Sequence, residues 1–216
     1  MHRLRLRGAV RLGRSRERVA ASRRSPCSSW KIDVIRLLAV GYILLLSGCS
    51  SMNVISEGAY LRLMLKGYDP VAYFVAGKPT PGRPDIKADH QGVTYRFASE
   101  DNRRLFVSNA AKYVPQYGGF CAKGMVYAIP LGIEPEIFKI VGGRLYVFGA
   151  ARARLYFEMD QERNLQLADR YWETEVRDSD WRWQALKRVW ITRVPHYKTN
   201  QELAEEYARR AVKNPG

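Results

Sequence analysis

"IFKIVGGRLYVFG", residues 137 to 149, is the stretch on which the fold turns. Two β-rich runs flank Gly142-Gly143, and paired glycines permit the positive φ values of a tight primed turn, so the stretch predicts a β-hairpin. Upstream, "IKADHQGVTYRFAS" (86–99) sets two short alternating runs around Gln91-Gly92 and predicts a second hairpin, with Val93, Tyr95 and Phe97 on one face by period two. Between the hairpins, Ser99 caps a helix whose first turn carries Glu100 and Asp101 and along which Asn102, Leu105, Phe106 and Asn109 sit at helical spacing. Pro115 limits that helical stretch.

Beyond Gly149 the pattern changes. "ARARLYFEMD", "ERNLQLADRYWETEV", "DSDWRWQALKRVW" and "NQELAEEYARRAV" each read as helical, separated by Asp, Ser, Pro or Asn. In the third, Trp183, Leu186 and Trp190 share a face. In the last, Glu205 and Glu206 precede Arg209 and Arg210 by four residues. The expected fold class is α+β: two hairpins and a helix, followed by a helical C-terminal extension.

The net charge of +15 suggests a nucleic-acid binder until its distribution is read. Residues 1–48 hold eleven Lys and Arg against two acids, whereas the remaining 168 residues carry only +6. That excludes nucleic acid as the expected partner. The apolar run "LLAVGYILLL" (37–46) follows Lys31 and Arg36 and is shorter than the roughly 20 residues of a membrane-spanning helix. It leads into Leu46-Ser47-Gly48-Cys49, which resembles a bacterial lipobox. Residues 1–48 are therefore expected to be a signal segment, with a start read too far upstream as one reason for its length. Cys49 is the expected lipidation site, and residues 49–65 a lipidated tether whose "YLRLMLKG" end can already pack. The expected location is the bacterial envelope, on a lipid anchor facing the periplasm, with Ser50 pointing to the outer membrane.

With Cys27 in the signal segment and Cys49 acylated, Cys121 stands alone, so neither an intramolecular disulfide nor a four-cysteine zinc site is available. It sits in "YVPQYGGFCAKG" (113–124), between a Gly-Gly pair and several aromatics. Three readings are open: a metal ligand completed by residues brought in by folding, a reactive thiol, or a small buried side chain. His90 and Asp69 are the nearest candidate metal partners by type. Asp69-Pro70 also reads as a turn initiator, and His90 and His196 as solvated or helix-docking residues. The missing side chains of Gly118 and Gly119 would let a flat ligand approach, with Tyr68 and Tyr117 among the aromatics lining its pocket. Trp181, Trp183 and Trp190 with Arg182, Lys187 and Arg188 form a basic aromatic helix, for which packing on the first domain and contact with a membrane surface are the alternatives. No P-loop, dinucleotide glycine fingerprint or H-E-x-x-H motif occurs.

Four blocks in order carry a family resemblance: "KGYDPVAYF" (66–74), "GVTYRFASEDNRRLF" (92–106), "YVPQYGGFCAKGM" (113–125) and "FKIVGGRLYVF" (138–148). Together they resemble the exported bacterial subgroup of YHS-domain proteins over residues 66–172, leaving 173–216 as the helical extension. The resemblance implies a small α+β domain and a role in binding metal, with Cu, Zn or Fe as the transition metals that a Cys, His and carboxylate set would suit. The expected function is thus an envelope lipoprotein binding a metal ion or small ligand near Cys121. The alternative is a non-catalytic interaction protein that recruits an envelope partner through its C-terminal helices. Enzymatic chemistry would require a depressed thiol pKa at Cys121.

Overall fold

A computed structural model describes residues 51–58 and 60–213, so the signal segment and Cys49 lie outside the described residues. The strands are β1 (Val54–Glu57), β2 (Tyr60–Met64), β3 (Arg83–His90), β4 (Val93–Phe97), β5 (Glu134–Val141) and β6 (Arg144–Phe148). The helices are α1 (Ala72–Val75), α2 (Glu100–Ser108), α3 (Ala110–Tyr113), α4 (Ala122–Met125), α5 (Ala151–Glu158), α6 (Gln161–Tyr171), α7 (Trp181–Leu186) and α8 (Asn200–Lys213). The class is α+β with a helical C-terminal part, as the sequence predicts.

Both hairpins form. β3 and β4 pair antiparallel with His90 opposite Val93, and β5 and β6 pair with Val141 opposite Arg144. Each turn has two residues of positive φ, Gln91 and Gly92 in one, Gly142 and Gly143 in the other. That is the primed geometry whose twist matches the strands it joins. Val93, Tyr95 and Phe97 are buried together, and α2 lays Phe106 on them, with its ring centroid 4.7 Å from Tyr95 and 5.1 Å from Phe97. Ser99 caps α2 by accepting the Asn102 N–H at 3.2 Å.

Residues 49–65 do not form the expected tether over their described part. β1 and β2 make an antiparallel pair, and β2 joins β4 in parallel at Leu63–Thr94, giving a four-stranded sheet in the order β1-β2-β4-β3. The physical reason is burial: Leu63, Met64 and Leu65 lose nearly all contact with water. The C-terminal helices likewise pack on the same core. Phe157 of α5 lies against Phe148 at 5.4 Å, Trp172 against Tyr117 at 6.2 Å and Trp181 against Phe120 at 5.9 Å. Val176, Val194 and Leu203 are buried with them. α6 and α7 each end in a π-helical turn, Trp172–Val176 and Lys187–Ile191.

Candidate functional site

The Gly118-Gly119 turn is occupied by the chain itself. Both glycines have positive φ, and a Cβ on Gly118 would sit 2.5 Å from the Ser51 carbonyl oxygen. Asn53 bonds both residues: its N–H donates to the Gly118 carbonyl and its side-chain amide to that of Gly119, each at 2.8 Å. The close approach that glycine permits therefore serves the N-terminal strand, and the expected ligand pocket at Tyr117, Gly118, Gly119 and Tyr68 is corrected to a packing joint. Tyr117 is buried and donates to Asp169 at 2.8 Å; burial pushes its phenol pKa well up. Tyr68 donates instead to Glu136 on the far hairpin.

The expected metal set does not assemble. Among the described residues no group of three His, Cys, Asp or Glu side chains lies close enough to hold a metal ion. Asp69 is fully buried and already committed: Oδ1 accepts the N–H groups of Val71 and Ala72, and Oδ2 those of Ala98 and the Asn102 amide at 2.8 and 2.6 Å. It ties the 69–72 turn to the start of α2. His90 packs edge-on against Phe106, with ring centroids 5.9 Å apart. Cys121 is 2% exposed, its sulfur accepts the Gly149 N–H at 3.3 Å, and burial raises its thiol pKa. A buried protonated thiol is neither a good ligand nor a good nucleophile. The residues present do not fit a Cu, Zn or Fe centre.

What the cysteine segment does build is a cleft. Cys121 leads into α4, and the chain folds back so tightly that a Cβ on Gly124 would meet the Ile129 carbonyl oxygen at 2.5 Å. α4 thereby faces α5, α6 and the segment that enters α8. Two adjoining cavities of about 420 and 170 Å³ open there, sharing Lys123, Tyr127, Tyr156, Tyr197, Lys198 and Leu203 as walls. Cys121 lines the smaller one.

Lys123 is the unusual group. Only 8% of it is exposed, its ammonium rests 4.8 Å over the Tyr127 ring, and among the described residues no carboxylate pairs with it. Burial, with the nearby Lys198 ammonium adding to it, lowers its pKa to about 8. Arg163 and Arg152 line the larger and smaller cavity respectively. The carboxylates at the rim are engaged elsewhere. Glu206 pairs with Lys198 and Arg210 at 2.6 Å, Asp160 with Arg210 at 2.9 Å, and Glu202 accepts the Thr199 N–H at 2.7 Å. His196 is a docking residue: its Nε2–H donates to the Val126 carbonyl at 2.9 Å and its ring stacks on Tyr171. Tyr127, its pKa pushed to about 12 by burial, keeps its hydroxyl proton at neutral pH.

Lys123 carries a signal in the sequence that was passed over: it is the single charged residue between Phe120 and Ile133, in an otherwise uncharged run. The expected packing of the basic aromatic helix is half corrected. Trp181 packs inward, whereas Trp183, Leu186, Trp190 and Ile191 stand in solvent. No family model matches the chain, and no match is found among curated proteins or solved structures.

Proposed function

We propose that the protein is an envelope lipoprotein of YHS-like type that binds a small anionic ligand, bearing a carboxylate or phosphate, in the cleft beside Cys121. The observation that carries this reading is Lys123, a largely buried side chain in the cavity wall whose ammonium has no carboxylate partner among the described residues. A buried charge is costly unless paired, and an anion supplied from solution is the partner that would relieve it. Arg152, Arg163 and the Tyr127 hydroxyl add donors around the same space. The aromatic walls, Tyr127, Tyr156 and Tyr197, suit an apolar body attached to the anionic group. Binding rather than catalysis is the activity supported, since Cys121 is held protonated. The lipoprotein part rests on the basic segment, the apolar run and the LSGC motif.

The test is thermal unfolding with inorganic phosphate and with citrate as probes, on the wild type and on Lys123→Met. We expect each probe to raise the wild-type midpoint at millimolar concentration and to leave the variant unmoved. Equal shifts in both proteins would overturn the assignment of Lys123.

A further inference from the structure

Residues 181–193, "WRWQALKRVWITR", contain four cations and no acid. Along this segment Trp183 is 58% exposed, Trp190 77% and Ile191 62%, with Leu186 beside them. Isolated exposed apolar residues need no explanation, but two tryptophans and two aliphatics on one short helical segment form a patch that water does not favour. Of the cations, Arg188 is held by Glu175, and Lys187 lies 3.7 Å from the same carboxylate. Arg182 and Arg193 have no carboxylate partner among the described residues and stack on Trp181 and Tyr197.

A second observation bears on what could cover the patch. The Ser51 N–H donates to the Arg177 carbonyl at 2.7 Å, and the Ser51 hydroxyl donates to Ser179 at 2.5 Å. The described chain therefore begins against the turn that leads into α7. Cys49 lies two residues before Ser51, a reach of at most about 7 Å, and Trp183 lies four residues after Ser179, at most about 14 Å. With the described part of the expected tether folded into the sheet, an acyl anchor on Cys49 would be tied to Ser51 by two residues only.

We infer that Trp183, Leu186, Trp190 and Ile191 dock into the headgroup layer of the membrane that carries the anchor, with Arg182 and Arg193 toward its anionic lipids. The inference rests on the lipoprotein reading above. Tryptophan at the interface, aliphatics beside it and an acid-free basic sequence are the chemistry that such a surface selects. A diacylated Cys49 would supply the anchor, and this face would add an interfacial contact that orients the domain on the surface. Among the described residues no helix is long and apolar enough to cross a membrane, so the contact is interfacial.

The test uses the full-length gene expressed in a Gram-negative host, with the membrane-extracted protein reconstituted in phosphatidylethanolamine and phosphatidylglycerol vesicles, with and without brominated acyl chains. We expect bromine to quench the tryptophan emission of the wild type, and the quenching to be lost in Trp183→Ser/Trp190→Ser, whose exposed positions leave the core intact. A Leu186→Glu/Ile191→Glu variant, which keeps both tryptophans, should lose the quenching too. Equal quenching in wild type and variants overturns the inference. So does no quenching in any of them, the result if a protein partner or residues 37–46 cover the face. The mass of the N-terminal peptide separates the two readings. Diacylated Cys49 without tryptophan quenching refutes docking alone, whereas unmodified Cys49 with quenching intact refutes the lipoprotein reading and leaves the docking standing.

Discussion

Lys123 costs the folded protein stability because burial strips much of the water from its charge without giving it a carboxylate partner. Its folded pKa of about 8 lies below the ordinary lysine value of 10.5, so the unfolded chain holds more protons between those two values. The destabilisation is therefore fully present below pH 8 and is relieved as pH rises toward 10.5. Lys123→Met, close in volume and uncharged, should raise unfolding free energy at pH 7 by about 1–3 kcal/mol, with the gain vanishing above the upper value. Urea unfolding of both proteins across pH checks this, and a variant less stable than wild type at pH 7 would contradict it. The Lys123 charge also opposes the burial that raises the Cys121 thiol pKa, so the alkaline end of the difference reports on that pair together. Asp69 stabilises the fold through its hydrogen bonds. Four N–H donors converge on its two oxygens, and Asn would turn an amide donor toward two of them. Asp69→Asn should cost about 2–4 kcal/mol, read as a lower denaturation midpoint without change in the folded spectrum.

Among the elements, the glycine turns separate two uses of the same residue. Gly142 and Gly118 have nearly the same φ, +56° and +57°, but nothing lies within 4 Å of a Cβ on Gly142. Gly142→Ala should thus lose only the cost of left-handed backbone, about 1 kcal/mol. Gly118→Ala adds a collision with the Ser51 carbonyl oxygen, in the segment leading into β1, and should lose at least about 3 kcal/mol. Equal losses in chemical denaturation would mean that strand β1 is not seated there. The same pair shows how far the sequence was readable. Hairpin β5–β6 announces itself because its signal is local, with two glycines between two β-branched runs. β1 and β2 do not, because their place depends on a parallel partner in β4 that no short window contains. Gly118-Gly119 could be recognised as a site of close approach, but the approaching group turned out to be the chain's own Asn53 and Ser51. The exposed face of α7 was legible as amphipathic, whereas which way the amphipathic face would turn was decided by Trp181 docking on Phe120.

At the scale of the whole molecule, the helices after Trp172 and the strands before Lys66 close on a common core, so residues 51–213 should unfold as one cooperative unit. Tryptophan emission, to which Trp172, Trp181, Trp183 and Trp190 of the helical part contribute, and far-ultraviolet circular dichroism should give coincident transitions; an earlier loss of the tryptophan signal would show the helical part to be separable. The cleft exists only through this closure, since α4 supplies Lys123 while α5, α6 and the segment entering α8 supply the opposite wall. The most direct measurement is therefore the titration of Lys123 itself, followed by the ε-carbon chemical shift in the folded protein, first without added anion and then with phosphate or citrate. The anion-site reading requires a pKa near 8 that moves upward when either probe fills the cavity, because an anion favours the charged form. A lysine that titrates near 10.5 in both conditions, or near 8 in both, would contradict it.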